Sequence, residues 1–211
     1  MKTIIFITGV STVGKSSLAH ILGSKLFMPR NFTIPLTTCR EKRIDDDPKY
    51  LINLTAEEFQ KSQFFINCET YGILNSDIEK FLNSDRKIGI CICGPKELSQ
   101  INIRQKKYYS FNTLKILLRY SDTEVEENKL LTKSINAYFQ EDPALKRLSI
   151  SQELNKLYFF NKSYITENID LILTRTNNIQ DWVNIINNRI MHQTLDTIKL
   201  NRKSEKYIHY R

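Results

Sequence analysis

Thr3-Ile4-Ile5-Phe6-Ile7-Thr8-Gly9-Val10-Ser11-Thr12-Val13-Gly14-Lys15-Ser16-Ser17-Leu18 is the stretch that decides the fold. Its first six residues are β-branched or aromatic and read as a buried strand. From Ser17 onward the apolar positions 18, 21, 22 and 26 mark the inner face of a helix. Between them, Gly9 to Ser16 fit the phosphate-loop pattern, two glycines with four residues between them followed by Lys-Ser. A strand, a tight glycine loop and a helix N-terminus aim several backbone N–H groups at one point, where the phosphates of a nucleotide can sit. In that geometry Gly9, Ser11, Thr12, Val13, Gly14, Lys15, Ser16 and Ser17 form the nucleotide cradle. Lys15 reaches the outer phosphates and Ser16 offers its hydroxyl to Mg²⁺. A plain glycine turn into a helix accounts for Gly9 and Gly14 but gives no reason for Lys15 and Ser16 together.

Around this nucleus, 211 residues suffice for one sizeable core with small insertions. The 41% apolar and 26% charged shares are those of a soluble globular chain. No apolar run approaches the roughly 20 residues a membrane helix needs, and Met1-Lys2 lead directly into the first strand. A cytoplasmic protein is therefore expected. The net charge of +8 suits polyanionic ligands. Basic residues are dispersed, denser only at Arg104–Lys107 and over Lys199–Arg211, and no nucleic-acid motif accompanies them. Nucleic acid is not the expected partner, and the basic tail reads as a solvated extension. Cys39, Cys68, Cys91 and Cys93 have neither zinc nor CxxC spacing, and Cys91 and Cys93 alternate in a strand pattern that predicts burial.

Four segments, Thr3–Thr8, Ile88–Cys93, Leu114–Tyr120 and Ile169–Thr174, predict strands of a mostly parallel sheet. Helices are predicted over Ser76–Asn83, Ile150–Phe160 and Ile179–Ile190. The alternation predicts an α/β domain of the three-layer phosphate-loop type. Phe27–Pro48, read as a loop region, and Glu124–Phe139, read as a polar helix, break the rhythm and mark the places for inserted subdomains. The organisation expected is a core of 1–31, 88–123 and 156–195, an acceptor region of 32–87, a lid of 124–155 and a basic tail of 196–211.

Beyond the loop, Thr37-Thr38-Cys39-Arg40-Glu41-Lys42-Arg43 resembles the TTRxPR segment of the guanylate kinase family, with Cys39 and Lys42 as departures. Tyr50 to Phe59, Phe64-Phe65, Tyr71-Gly72, Gly94, Lys129 to Lys133 and Arg147 follow in the family's order, so that the resemblance spans roughly residues 3 to 191. It implies transfer of a phosphoryl group from ATP, with Mg²⁺, to a phosphorylated small molecule. It also implies that Arg40, Arg43, Tyr50 and Tyr71 hold the acceptor's phosphate. Guanidinium forks and phenolic hydroxyls are suitable donors for that task. Lys129, Lys133 and Arg147 match the lid cations that stabilise the moving group, alongside Lys15 and Arg40. The rival reading of these residues is ordinary surface charge and core tyrosines.

The guanine-reading residues are not retained. Leu36 stands at the serine position, no glutamate aligns although Glu69 is close, and Ile90-Cys91-Ile92-Cys93 carries no carboxylate. Guanine's N1–H and amine need buried acceptors, so the acceptor base is left open. Asp45, Asp46 and Asp47 read as a solvated acidic turn before Pro48, with service to the acceptor or metal as the alternative. Three functions remain: a nucleoside monophosphate kinase acting on a substrate such as GMP, a sugar-phosphate kinase of the ribose 1,5-bisphosphate phosphokinase type, and a silent protein-binding module. Retention of Lys15 and Ser16 weighs against the last.

Overall fold

Strand β1, Thr3–Gly9, is the axis of the main sheet, and its residues from Thr3 to Thr8 are all buried. A continuous apolar run of this kind requires cover on both faces, as parallel strands have. The computed structural model describes residues 2–9, 13–26, 31–42, 46–108, 111–119, 162–174 and 181–191. After β1 come helix α1 (Lys15–Ile21), a π-helical turn (Leu22–Leu26), and the three-residue strands β2 (Asn31–Thr33), β3 (Leu36–Thr38) and β4 (Leu51–Asn53). Helix α2 (Ala56–Lys61), strands β5 (Phe64–Cys68) and β6 (Tyr71–Leu74), helix α3 (Asn75–Asn83) and strand β7 (Ile88–Ile92) follow. Helix α4 (Pro95–Tyr108), strand β8 (Asn112–Arg119), helix α5 (Lys162–Asn168) and strand β9 (Leu171–Thr174) come last in this series.

The main sheet has the order β2-β7-β1-β8-β9 and every described pairing in it is parallel. The chain first fills one side of β1 with β2 and β7, then crosses to β8 on the other. Such a reversal opens a crevice at the carboxyl end of the central strand, where α/β sheets take their ligands. That end of β1 is Gly9, the start of the glycine loop. The protein is thus an α/β fold of the phosphate-loop type, as the opening stretch predicts.

A second sheet, β4-β3-β6-β5, is inserted between β2 and α3. Here β3 pairs parallel with β4, whereas β6 runs antiparallel to β3 and β5. The two sheets share one core. Ile4 and Phe6 of β1 and Cys91 of β7 belong to the same buried cluster as Ile34, Leu36, Phe65, Ile66, Ile73 and α4's Leu98 and Ile101. Burial of these side chains fixes the insert against the main sheet, because close-packed interiors do not slide. Ile5 and Ile7, on the opposite face by strand alternation, are also fully buried.

Sequence patterning located β1, β7, β8 and β9 within a residue or two. It misread Phe27–Pro48 as a loop region: β2 and β3 lie inside it. Three-residue strands on either side of Ile34-Pro35 are too short for alternation to register. Helix α3 begins one residue before the predicted Ser76. The predicted helices over Ile150–Phe160 and Glu124–Phe139 lie outside the described residues. The chain divides into two units, Met1–Arg175 and Thr176–Arg211. The second contributes helix α6, described over residues 181–191, where a helix over Ile179–Ile190 is predicted.

Candidate active site

Gly9 leaves β1 with φ of 150°, and Gly14 enters α1 with φ of 103° and ψ of 22°. Both values lie where side chains are disfavoured, and at Gly9 a Cβ would also run into the Leu118 carbonyl oxygen of the neighbouring strand. These two residues therefore have a physical reason to be glycine. Gly14 caps α1 without a side-chain hydrogen bond, and the first turn holds no acidic residue. The helix N-terminus is left with its amide donors and partial positive charge for an anion. Ser16 and Ser17 are exposed in that turn, whereas Val13 is buried. Ser11 and Thr12 lie outside the described residues.

The Lys15 ammonium turns back and donates to the Gly9 carbonyl at 3.0 Å. Burial pushes its pKa down to about 8, offset in part by Cys93. A desolvated cation at the mouth of an amide cup attracts negative charge far more strongly than one in water. Around it the thiols stay protonated, because burial raises Cys91 and Cys93 and pushes Cys68 up to about 11. They are core groups rather than nucleophiles.

The donor set fits the triphosphate and Mg²⁺ that the loop implies. It comprises a partly buried cation, an exposed hydroxyl at Ser16 and an uncapped helix end. Among the described residues no three His, Cys, Asp or Glu side chains gather into a metal cluster. β7 carries no carboxylate, but α4 brings a buried one soon after it, Glu97, which sequence reasoning passed over. Glu97 is buried in the first turn of α4 and folds back onto the Gly94 N–H, and burial holds its pKa above the usual carboxylate value. Its place three residues after a helix-starting glycine was the signal that could have found it.

On the inserted sheet, β3 ends at Thr38 and delivers Arg40 just beyond it. Thr38 Oγ1 donates to the Thr70 carbonyl at 2.7 Å and accepts from the Arg40 N–H at 3.3 Å. Asn53 Nδ2 on β4 holds the Arg40 carbonyl at 3.2 Å. The guanidinium is thereby aimed at two groups. Its Nε donates to the Tyr71 hydroxyl at 2.7 Å, and its Nη1 and Nη2 meet Asp46 Oδ2 and Oδ1 at 2.9 and 2.5 Å. The bond to Asp46 is the first cause of an Arg40 pKa above its already high ordinary value.

Asp46 corrects the sequence reading. Its side chain is 8% exposed, so the turn is not simply a solvated acidic one. Tyr50 is buried, and its hydroxyl has no hydrogen-bond partner among the described residues. Glu69, in the left-handed conformation at the β5–β6 turn (φ 55°), is exposed and pairs with Lys96 at 3.2 Å. Leu36 and Cys91 are core residues. Arg43, Asp45, Lys129, Lys133 and Arg147 lie outside the described residues.

Cys93 and Cys68 belong to the same buried cluster, and Cys68 is the register partner of Tyr71, which meets Arg40.

The fold is similar to that of guanylate kinase from Anaplasma phagocytophilum, with a TM-score of 0.54 and 14% identity over 91% of this chain and 86% of that one. A fungal RNA kinase matches at a TM-score of 0.44 and 12% identity, over 94% and 90% of the two chains. No family model matches the sequence, and no curated protein does.

Proposed function

We propose that the protein is a guanylate-kinase-like phosphotransferase that moves the γ-phosphate of ATP to a phosphate monoester, most simply a nucleoside monophosphate. The observation that carries this reading is the anion already seated on Arg40. Arg40 and Tyr71, which the resemblance assigns to an acceptor phosphate, are joined by a hydrogen bond, and Arg40 grips the Asp46 carboxylate with two parallel N–H donors. The likeness in fold to a guanylate kinase supports it.

In the proposed reaction the α1 amides and Lys15 hold the donor phosphates, and Lys15 neutralises charge that spreads over the transferred group. Mg²⁺, when bound through Ser16, would offset further negative charge on the phosphates. Arg40, Tyr71 and Tyr50 orient the acceptor, joined by Arg43, and Arg147, Lys129 and Lys133 act as closing cations. Glu69 is included among the acceptor-binding residues, as the glutamate nearest the family's base-reading position. No side-chain base is needed, because the attacking phosphate oxygen is already ionised near neutral pH.

A second reading, a sugar-phosphate acceptor, is favoured by the burial of Leu36 and Cys91 in an apolar core. Neither offers an acceptor for guanine's donors. ADP release with ATP·Mg²⁺ across nucleoside and sugar monophosphates tests both, with Lys15→Ala as control. Signal on GMP or another nucleotide supports the first and signal on sugar phosphates alone the second. No signal on any acceptor ends both.

A further inference from the structure

The Arg40 guanidinium is more fully engaged than a waiting anion clamp would be. It has five N–H donors. At least four are taken: Nε by the Tyr71 hydroxyl, Nη1 by the Glu41 carbonyl at 2.6 Å and by Asp46 Oδ2, and Nη2 by Asp46 Oδ1. Both side chains of the ion pair are largely removed from water, at 16% and 8% exposure. A planar carboxylate with two oxygens on two guanidinium nitrogens presents the same edge as two oxygens of a phosphate. The Asp46 carboxylate therefore stands where an Arg40-bound phosphate would stand, and the two cannot share the fork.

The geometry points to Asp46 as an internal surrogate for the acceptor's phosphate, a specificity residue that any acceptor must displace and that only a doubly charged phosphate displaces well. This inference rests on the acceptor reading above. A monoester carries close to two negative charges at neutral pH and three terminal oxygens. A phosphodiester or a carboxylate carries one charge, no more than Asp46 itself, and gains little by the exchange. The arrangement filters for a terminal phosphate without contacting the rest of the molecule. Displacement has a natural sequel at Tyr50, four residues along the same turn and joined to it by the Tyr50 N–H bond to the Asp47 carbonyl at 3.0 Å. The buried Tyr50 hydroxyl, with no partner among the described residues, is a further donor suited to an anion richer in oxygens than a carboxylate.

The test follows two resonances in the full-length wild-type protein: the Arg40 Nε–H, assigned by its loss in Arg40→Lys, and the Asp46 carboxyl carbon. Methyl phosphate, a monoester, should move both together as Asp46 leaves the guanidinium. Dimethyl phosphate, a diester, should move neither. In Asp46→Asn, methyl phosphate should bind about tenfold more tightly or better, since a charged hydrogen-bonded competitor has gone. Dimethyl phosphate should then begin to bind, compressing the monoester-to-diester preference. A merely structural role for Asp46 would not change that ratio.

The inference is overturned if methyl phosphate shifts Arg40 while the Asp46 carbon stays in place, if Asp46→Asn binds methyl phosphate no better, or if neither resonance responds. The wild-type titration stands even if the variant does not fold. Exchange at Asp46 with no phosphorylation of any monoester would sustain this inference and sink the kinase reading. Phosphorylation with Asp46 still on Arg40 would do the reverse.

Discussion

Asp46 grips Arg40 through both of its carboxylate oxygens, at 2.9 and 2.5 Å, six residues along the same chain segment. With so little of either side chain exposed, removing one partner strands a charge that has been taken out of water. Arg40→Ala and Asp46→Ala should each cost about 2 to 3 kcal/mol of folding stability, the Arg40 change also freeing the Tyr71 hydroxyl. The double variant should lose well under the sum, with a coupling of about 1.5 kcal/mol or more. Urea denaturation of the four proteins measures the cycle. Additive losses would mean that the pair is solvent-screened like an ordinary surface bridge.

Lys15 should show the opposite balance between stability and function. Its ordinary pKa is 10.5, and burial lowers it to about 8 in the folded protein. Below pH 8 the folded state carries a desolvated ammonium, and that cost is present in full. From pH 8 to 10.5 the unfolded chain binds more protons than the folded one, so this group's contribution to stability improves as pH rises. Lys15→Met should therefore stabilise the ligand-free protein by about 2 kcal/mol near pH 7. The advantage should shrink as pH climbs towards 10.5, while ATP binding is lost. Thermal melts across that range, paired with ATP titration, give the result. A destabilised Lys15→Met at pH 7 would contradict the desolvation.

Lys15 and Asp46 also mark how far the sequence could be read. The glycine loop, its strand and the parallel sheet were legible because long β-branched runs and a dense motif leave few alternatives. Order along the chain singled out Arg40 and Tyr71 together, and they meet through a 2.7 Å hydrogen bond. The inserted sheet was mostly hidden, since β2, β3 and β4 have three residues each and draw their stability from shared burial with Phe65, Ile66 and Ile73. Asp46 was mistaken for a solvated turn residue because local composition does not report a partner delivered by tertiary packing. Glu97 was missed for the same reason: its burial depends on the fold around Gly94.

Tyr50 offers a cleaner separation of stability from binding. Its hydroxyl is buried without a partner among the described residues, while Lys49 Nζ lies 5.3 Å from the ring centre. An unsatisfied buried hydroxyl costs free energy that phenylalanine avoids. Tyr50→Phe should be neutral or stabilising by up to about 1 kcal/mol, yet it should raise the KM for the phosphorylated acceptor about fivefold or more. The KM for ATP should not move. A drop in stability together with an unchanged acceptor KM would remove Tyr50 from the clamp.

Gly9 and Gly14 should differ when each is changed to alanine, although both have positive φ. A Cβ on Gly9 meets the Leu118 carbonyl oxygen and Val13 Cγ1, the latter at 3.1 Å, and the carbonyl belongs to a strand held in register by β1. Backbone cannot yield as a flexible side chain can, so Gly9→Ala should cost about 3 kcal/mol or more and prise β1 from β8 at the mouth of the loop. At Gly14 the nearest atom is Leu118 Cδ2 at 4.0 Å, and only the conformational penalty remains, about 1 to 2 kcal/mol. Gly14→Ala should fold and lose ATP affinity as the α1 amides shift. Gly9→Ala should melt far lower or fail to accumulate. Equal melting temperatures for the two would show that the carbonyl clash is relieved by movement of the loop.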